Sequence, residues 1–258
     1  IHFWRLMMSI DLIKQKLTSL QHANSSNFNK LDQWLQYYLD MITHENTNIE
    51  KRIPNIRRGQ ILYVDFGYNI LSEFRYKHYC VAINNSPRKN PKVTVIPITS
   101  KKHPHQLELN YELEERLEDI IINKERSNFW KPFRNIYPQL ESRGFKLIAP
   151  AIGTYDTVYP NCTKFIQQAK TFLSDDDVEL HSILNQILND LHQFNIFYKS
   201  SPSLHKSSYL RVEDITTISK ARIISPRYTS HPLYQLRLSD TTLDLIDTWI
   251  INKFTGSN

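Results

Sequence analysis

Glycine, cysteine and long apolar runs are all scarce in this sequence of 258 residues. It has 5 glycines and 12 prolines, and hydrophobic residues make up 40%, which excludes a collagen-like or disordered chain and is typical of a folded protein. The only cysteines, Cys80 and Cys162, are far apart and form no CxxC or Cys/His cluster, so a disulfide scaffold is excluded and no zinc spacing exists. The length suffices for one core with an insertion or for two small domains.

No run approaches the ~20 apolar residues that a membrane span needs. The apolar start, residues 1–10, is too short and has no cleavage site, so we expect a cytoplasmic protein without a membrane segment. Because the chain begins with Ile1, we expect that the native start is Met7 or Met8 or that the chain is a fragment. The net charge of +6 suits a polyanionic partner, but on charge alone an ordinary basic protein is an equally good interpretation.

Two apolar stripes at helical spacing occupy the N-terminal part. The first runs over residues 10–20, and a stronger one over 31–42 follows a polar break at 21–29. Residues 44–52 are polar and are expected to form a linker. The sequence therefore predicts an N-terminal helical segment over residues 1–52.

From Arg57 onward the pattern changes to short strands. Apolar runs at 61–66, closed by Gly67, at 79–83 and at 92–98 each predict a buried strand. Three short strands so close together indicate a compact antiparallel sheet or barrel.

The middle of the chain differs from both flanks. Helical spacing is found at 113–121 and 180–191, Ser174 precedes three aspartates as a helix N-cap would, and 129–159 shows no clear period. Further strands are expected at 208–212 and within 213–224, and Ser239 is expected to cap a last helix. The sequence thus predicts a main domain over 53–258, interrupted by a mostly helical insertion at about 103–206.

The most informative residues lie around the predicted strands. Arg57-Arg58-Gly59-Gln60 leads into the first strand, Ser72-Glu73 follows it, and His78 opens the second. The third strand ends in Pro97-Ile98-Thr99-Ser100-Lys101, and a further segment covers 212–222. In this order the segments resemble the PemK/MazF family of toxins from type II toxin–antitoxin systems.

The resemblance implies a fold and an activity. The fold would be α+β, a small antiparallel SH3-like β-barrel with peripheral helices. The activity would be that of a metal-independent endoribonuclease acting on single-stranded RNA such as mRNA. In this reaction the ribose 2′-hydroxyl attacks the adjacent phosphate, and a cyclic phosphate is formed. No cofactor and no metal would be needed. The implied partners are a second copy of the chain, in a homodimer with RNA across it, and an antitoxin protein that would block the same cleft.

The resemblance also implies roles for residues of this chain. The family's threonine at the end of the third strand matches Thr99, but its arginine at the start of the second strand aligns with His78. Because histidine titrates near neutral pH, His78 would be the general acid or base, Thr99 would hold the phosphate, and Glu73 would orient groups or accept a proton. The implied RNA-binding residues are Arg58, Ser72, Arg75, Lys77, Ser100 and Lys101.

Histidine at the arginine position leaves two other interpretations open. The same barrel could bind RNA or a protein without cleaving it, or the helical insertion could be the working part of an interaction protein. Structural roles are also open for single residues. Arg58 could hold a loop by a surface ion pair, Glu73 could pair with a neighbouring cation, and Thr99 and Ser100 could be turn residues.

Overall fold

A computed structural model describes residues 2–44, 52–104, 106–124, 129, 131–146 and 155–256. This part contains seven α-helices and seven β-strands. The helices are α1 (His2–Ala23), α2 (Ser25–Thr43), α3 (Glu112–Lys124), α4 (Lys131–Glu141), α5 (Tyr155–Lys170), α6 (Val178–Ser200) and α7 (Asp240–Thr255). The strands are β1 (Ile61–Asp65), β2 (Lys77–Ala82), β3 (Lys92–Thr99), β4 (Leu107–Asn110), β5 (Ser208–Leu210), β6 (Thr216–Ser219) and β7 (Ile223–Ser225). None of the described helices is long and apolar enough to cross a membrane.

All pairings in the sheet are antiparallel. The strand order is β4-β5-β3-β2-β1-β7, and β6 pairs with the first half of β3, beside the point where β5 pairs with its end. This confirms the predicted α+β class with a mostly antiparallel sheet. Among the described residues the path of strands is open, because no pairing joins β4 to β7. Closure into a barrel stays a prediction.

The first three strands are apolar on both faces because both faces of the sheet are covered. Ile61, Val81 and Ile96 belong to one core cluster, whereas the neighbouring residues Leu62 and Ala82 belong to another. Successive residues of a strand point to opposite faces, so a strand buried on both sides is a continuous apolar run. This explains why the apolar runs at 61–66, 79–83 and 92–98 predict the bounds of β1, β2 and β3 to within about two residues.

β4 and α3 belong to the core of the sheet. Leu107 and Leu109 of β4, with Leu113 and Leu117 of α3, are buried in the same cluster as Ile61 and Ile96. Leu243 and Ile246 of α7 complete that cluster, and Ser239 caps α7, as predicted, by accepting a hydrogen bond from the Thr242 N–H. We therefore propose that the inserted part begins after α3, later than position 103.

Three helices of the middle region form a core of their own. This helical module consists of Phe129, α4, α5 and the first half of α6, whose buried residues include Phe133, Phe165 and Leu184. The far end of α6 reaches the sheet core, against which Phe194 and Phe197 pack. One continuous helix thus joins the helical module to the strands.

α1 and α2 form an N-terminal helical hairpin. The predicted polar break at 21–29 is wrong, because only Asn24 separates the helices, and its side chain caps α2 by accepting from the Asn27 N–H at 3.1 Å. No residue of α2 is buried. Trp34 and Leu35 on its apolar stripe are half-buried, but Leu39 and Ile42 are exposed. Most of the predicted linker, residues 45–51, lies outside the described residues.

The predicted N-cap at Ser174 is also wrong. α6 begins at Val178 with Asp177 as its N-cap residue. The Asp177 carboxylate instead accepts hydrogen bonds from the N–H and the hydroxyl of Ser174, both at 2.8 Å, and pairs with Arg143. These bonds stabilise a turn before the helix, so the helix starts later than the aspartate-rich pattern indicates.

Candidate functional site

The loop between β1 and β2 is closed at its base by backbone hydrogen bonds. The Phe66 N–H donates to the Tyr76 carbonyl at 2.9 Å, and the Tyr76 N–H donates to the Gly67 carbonyl at 2.8 Å. Two non-glycine residues of the loop, Leu71 (φ 48°) and Tyr76 (φ 72°), have left-handed backbone conformations, which are unfavourable for residues of this size. Ser72, Glu73 and Arg75 lie between them on a constrained segment.

A cavity of about 780 Å³ opens beside this loop. All of the residues implied as catalytic or RNA-binding line it except Arg58. They are Ser72, Glu73, Arg75, Lys77, His78, Thr99, Ser100 and Lys101. The topology brings them together because β2 and β3 are neighbours, so the start of one and the end of the other meet at the same edge.

His78 stands at the wall of this cavity. It is half-buried, pairs with Val64 across β1 and β2, and contacts the Phe74 ring at 4.4 Å between ring centroids. Burial lowers the pKa of His78, opposed by a hydrogen bond to the Arg75 backbone, and the charge of Arg211 lowers it further. The ring is therefore neutral at physiological pH and can accept a proton.

Glu73 and Thr99 each contact the backbone of their own turn. Glu73 Oε2 accepts a hydrogen bond from the Ile70 N–H at 3.0 Å, and Thr99 Oγ1 accepts one from the Lys101 N–H at 3.1 Å. Each oxygen keeps further acceptor capacity, and the Thr99 hydroxyl keeps its donor hydrogen. Both residues thus have a turn-forming contact and still line the cavity.

Positive charge surrounds the cavity on the loop side. Lys77 and Lys101 are exposed, and the Arg75 guanidinium lies over the rings of Tyr76 and Tyr68, at 5.3 and 5.8 Å from their centroids. Cations and aromatic faces at one opening form a combination that suits a single-stranded nucleic acid, whose phosphates and bases they would contact.

Arg58 lies elsewhere. Its guanidinium donates to Asp247 Oδ1 at 2.5 Å and to the Leu243 carbonyl at 3.3 Å, both on α7. In this position Arg58 attaches the entry to β1 to the C-terminal helix, and it does not line the cavity formed by the other residues.

The cavity also contains residues that the sequence pattern did not single out. Phe197, Ser200 and Ser201 at the end of α6 line it, as do Arg211 and His231. The Tyr79 hydroxyl donates to Ser201 Oγ at 3.1 Å and so joins β2 to the end of α6. These residues are distant in sequence from the motif segments around β1–β3, and only Arg211 borders the 212–222 segment.

The segment that contains β1–β3 also matches the model of a known family. Residues 57–126 match the family model described as PemK-like, MazF-like toxin of type II toxin-antitoxin system. No curated protein matches the chain.

The PemK-like match confirms the resemblance seen between Arg57 and Lys102. It spans β1 to α3 and so includes the loop with Ser72, Glu73 and Arg75, together with His78 and Thr99. It covers well under half of the chain. The helical hairpin, the helical module and the similar segment at 212–222 lie outside it.

Within the part of the chain that the structure describes, no three His, Cys, Asp or Glu side chains form a group that could hold a metal ion. The side chains that line the cavity could transfer a proton (His78 or Glu73), form hydrogen bonds through hydroxyls, and stabilise negative charge through cations.

Proposed function

We propose that the chain is a toxin-like endoribonuclease that cleaves single-stranded RNA without a metal ion. The observation that carries this proposal is the cavity at the meeting ends of β2 and β3, where a neutral histidine, a carboxylate, hydroxyls and cations stand together inside the PemK-like segment. Attack of a ribose 2′-hydroxyl on the adjacent phosphate needs a proton acceptor, a proton donor and positive charge beside the phosphate.

In the proposed mechanism His78 acts as the general base. Its ring nitrogen takes the proton of a ribose 2′-hydroxyl as that oxygen bonds to the adjacent phosphorus. The bond from phosphorus to the 5′-oxygen breaks, and the leaving oxygen takes a proton from water. The products are a 2′,3′-cyclic phosphate and a free 5′-hydroxyl. Thr99 holds a phosphate oxygen, and Glu73 orients the 2′-hydroxyl.

The RNA backbone would follow the loop side of the cavity. Arg75, Lys77 and Lys101 would contact phosphates, with Ser72 and Ser100 as hydrogen-bonding partners. Arg58, which is hydrogen-bonded to α7, would stabilise the domain and would not contact the RNA. By the same family resemblance we propose closure of the sheet into a barrel, a homodimer with RNA across it, an acidic antitoxin as inhibitor, and action in the cytoplasm.

A second candidate is a binding module that does not cleave. It is favoured by the histidine at the arginine position and by the backbone contacts of Glu73 and Thr99, which give both residues a structural role. In that case the cations would bind RNA or an acidic protein segment, and no phosphate bond would break.

The test is incubation of the purified chain with a long unstructured RNA in the presence of EDTA, beside the variant His78→Ala. We expect fragments with 5′-hydroxyl ends from the wild type, and a loss of about a hundredfold or more in rate for the variant. The variant His22→Ala removes an exposed histidine of α1 and should cleave like the wild type. RNA that is bound but never cut by a folded wild-type protein would favour the binding module.

A further inference from the structure

Arg211 lies beside the strand end that carries Thr99, although the two are far apart in sequence. Its backbone N–H donates to the Pro97 carbonyl at 3.0 Å, and Tyr209, two residues earlier, pairs with Thr99. The Arg211 side chain lines the same cavity as Thr99 and His78. The pairing of β5 with β3 thus brings an arginine to the site from the C-terminal part of the chain.

One aromatic ring joins Arg211 to His78. The Arg211 guanidinium lies 5.4 Å from the Phe74 ring centroid, and the His78 ring lies 4.4 Å from the same centroid. Phe74 is itself anchored, since it packs edge-on against Phe66 at 5.2 Å and against the core. A fixed ring that contacts both side chains holds them as neighbours on the cavity wall.

Asp214 orients the guanidinium without occupying all of its donors. Arg211 Nε and Asp214 Oδ2 are 2.5 Å apart, yet neither atom has a hydrogen-bond partner of good geometry among the described residues. The two groups therefore attract each other as opposite charges, and the Nε–H of Arg211 is not directed at the Asp214 carboxylate. A guanidinium has five donor hydrogens, so this ion pair leaves Arg211 able to bind an anion.

We propose that Arg211 binds the phosphate at which the RNA is cleaved and supplies there the arginine charge that is missing at position 78. The substrate in this inference, single-stranded RNA, rests on the proposed function. A guanidinium stays charged at every physiological pH, and its planar fork of donors matches two phosphate oxygens. His78 then transfers the proton while Arg211 stabilises the added negative charge of the transition state.

The test measures RNA binding and cleavage by the full chain. The variants are Arg211→Gln, which removes the charge, and Arg211→Lys, which keeps the charge but not the fork. The control is Arg134→Ala, which removes one exposed charge from α4. Binding of a non-cleavable 2′-O-methyl RNA is followed by fluorescence anisotropy over a series of salt concentrations, and cleavage of the unmodified RNA gives kcat/KM.

For Arg211→Gln we expect the dependence of log K, the association constant for RNA, on log salt concentration to become less steep. The magnitude of the slope should decrease by about 0.7, the value of one phosphate contact to a single strand. We also expect kcat/KM to fall about a hundredfold. Arg211→Lys should keep the salt slope but not the rate, and Arg134→Ala should match the wild type in both. If Arg211→Gln does not fold, the double variant Arg211→Gln/Asp214→Asn removes both charges together.

A third measurement needs no RNA. Since the charge of Arg211 lowers the pKa of His78, that pKa, measured by NMR titration, should rise in Arg211→Gln. Arg211 variants with wild-type salt slope, rate and His78 pKa would overturn the inference and leave the proposed function intact. A wild type that binds RNA without cleaving it would end the proposed function and the catalytic part of this inference, and the salt slope would then decide only whether Arg211 contacts a phosphate. A wild type that neither binds nor cleaves would overturn both.

Discussion

At the scale of single residues, the environment of His78 favours its uncharged form. The ring is half-buried beside Phe74, and burial is the largest reason why the pKa of His78 is lowered. Arg211 acts in the same direction. The lowered pKa keeps the ring unprotonated at the pH of the cell, where an ordinary histidine is partly protonated, so His78 is available there as a proton acceptor.

Under the proposed mechanism, this lowered pKa predicts how the cleavage rate falls on the acid side of the pH profile. Folding favours the neutral form of His78 because its pKa is lower in the folded state than in the unfolded state. The contribution of His78 to the free energy of unfolding is therefore complete above the unfolded-state pKa of about 6.5. That contribution is lost as pH falls through the lower folded-state pKa. The rate falls over the same range, because a protonated ring cannot act as a base. We expect kcat/KM, measured from about pH 4 to about pH 8, to decline only below about 6.5. His78→Gln should have a far lower rate without this fall on the acid side, and a midpoint above about 6.5 would contradict the assignment.

Lys220 shows that a residue within a functional resemblance can be structural. It lies in the 212–222 segment, its side chain is fully buried, and Nζ donates to the carbonyls of Ser86 and Pro87 at 3.1 and 2.7 Å. A buried ammonium needs such partners. The role of Lys220 in this structure is therefore to hold the loop between β2 and β3.

At the scale of elements, local pattern and topology account for different parts of the molecule. β1, β2 and β3 could be located from sequence because their apolar runs record burial on both faces. α4 and α5 could not, since each contains a proline, Pro138 and Pro160, and proline normally marks the end of a helix. In both helices tertiary packing of the aromatic core outweighs that local preference.

The candidate site divides in the same way. Ser72, Glu73, Arg75 and His78 are close in sequence, so a motif could group them. Arg211 reaches the cavity only because β5 pairs with the end of β3, and Phe197 and His231 reach it through the ends of other elements. No spacing pattern records such long-range pairings, so these residues could not be found from the sequence.

A tight contact between α2 and the loop gives a prediction at this scale. Gly67 has φ +89°, and a Cβ placed on it would lie 2.7 Å from Trp34 Nε1. Gly144 has the same φ, but its nearest neighbour would be Phe172 at 4.0 Å. Gly144→Ala should therefore cost about 1–2 kcal/mol of unfolding free energy from backbone strain alone, and Gly67→Ala should cost more because Trp34 must move.

The measurement is urea unfolding followed by circular dichroism, with a double-mutant cycle for the contact. Trp34→Ala should recover part of the stability lost in Gly67→Ala but none of that lost in Gly144→Ala. Equal costs for the two glycine variants, or no coupling to Trp34, would show that the helical hairpin does not press on the loop in solution.

Across the whole molecule, the sheet and the helical module each have a hydrophobic core built from different residues. The sheet is packed between two clusters, of which one includes residues of α3 and α7, while the helical module packs its aromatic side chains against one another. α6 spans both, with Leu184 in the module and Phe197 against the sheet. Phe197 and Ser200 line the cavity, so the position of this part of its wall depends on how firmly α6 is held at each end.

The two cysteines allow a test of whether these cores open together. Cys80 is fully buried in the sheet, and Cys162 is fully buried in the helical module. In the single-thiol variants Cys80→Ser and Cys162→Ser, labelling by a thiol reagent at increasing urea reports the opening of one core at a time. Burial raises the pKa of the Cys80 thiol, so the urea midpoints of labelling are compared, not the absolute rates. We expect Cys162 to become reactive at lower urea than Cys80, because the module can lose its packing while the sheet stays paired. Coincident midpoints that also match the circular dichroism transition would instead show that α6 makes the molecule one cooperative unit.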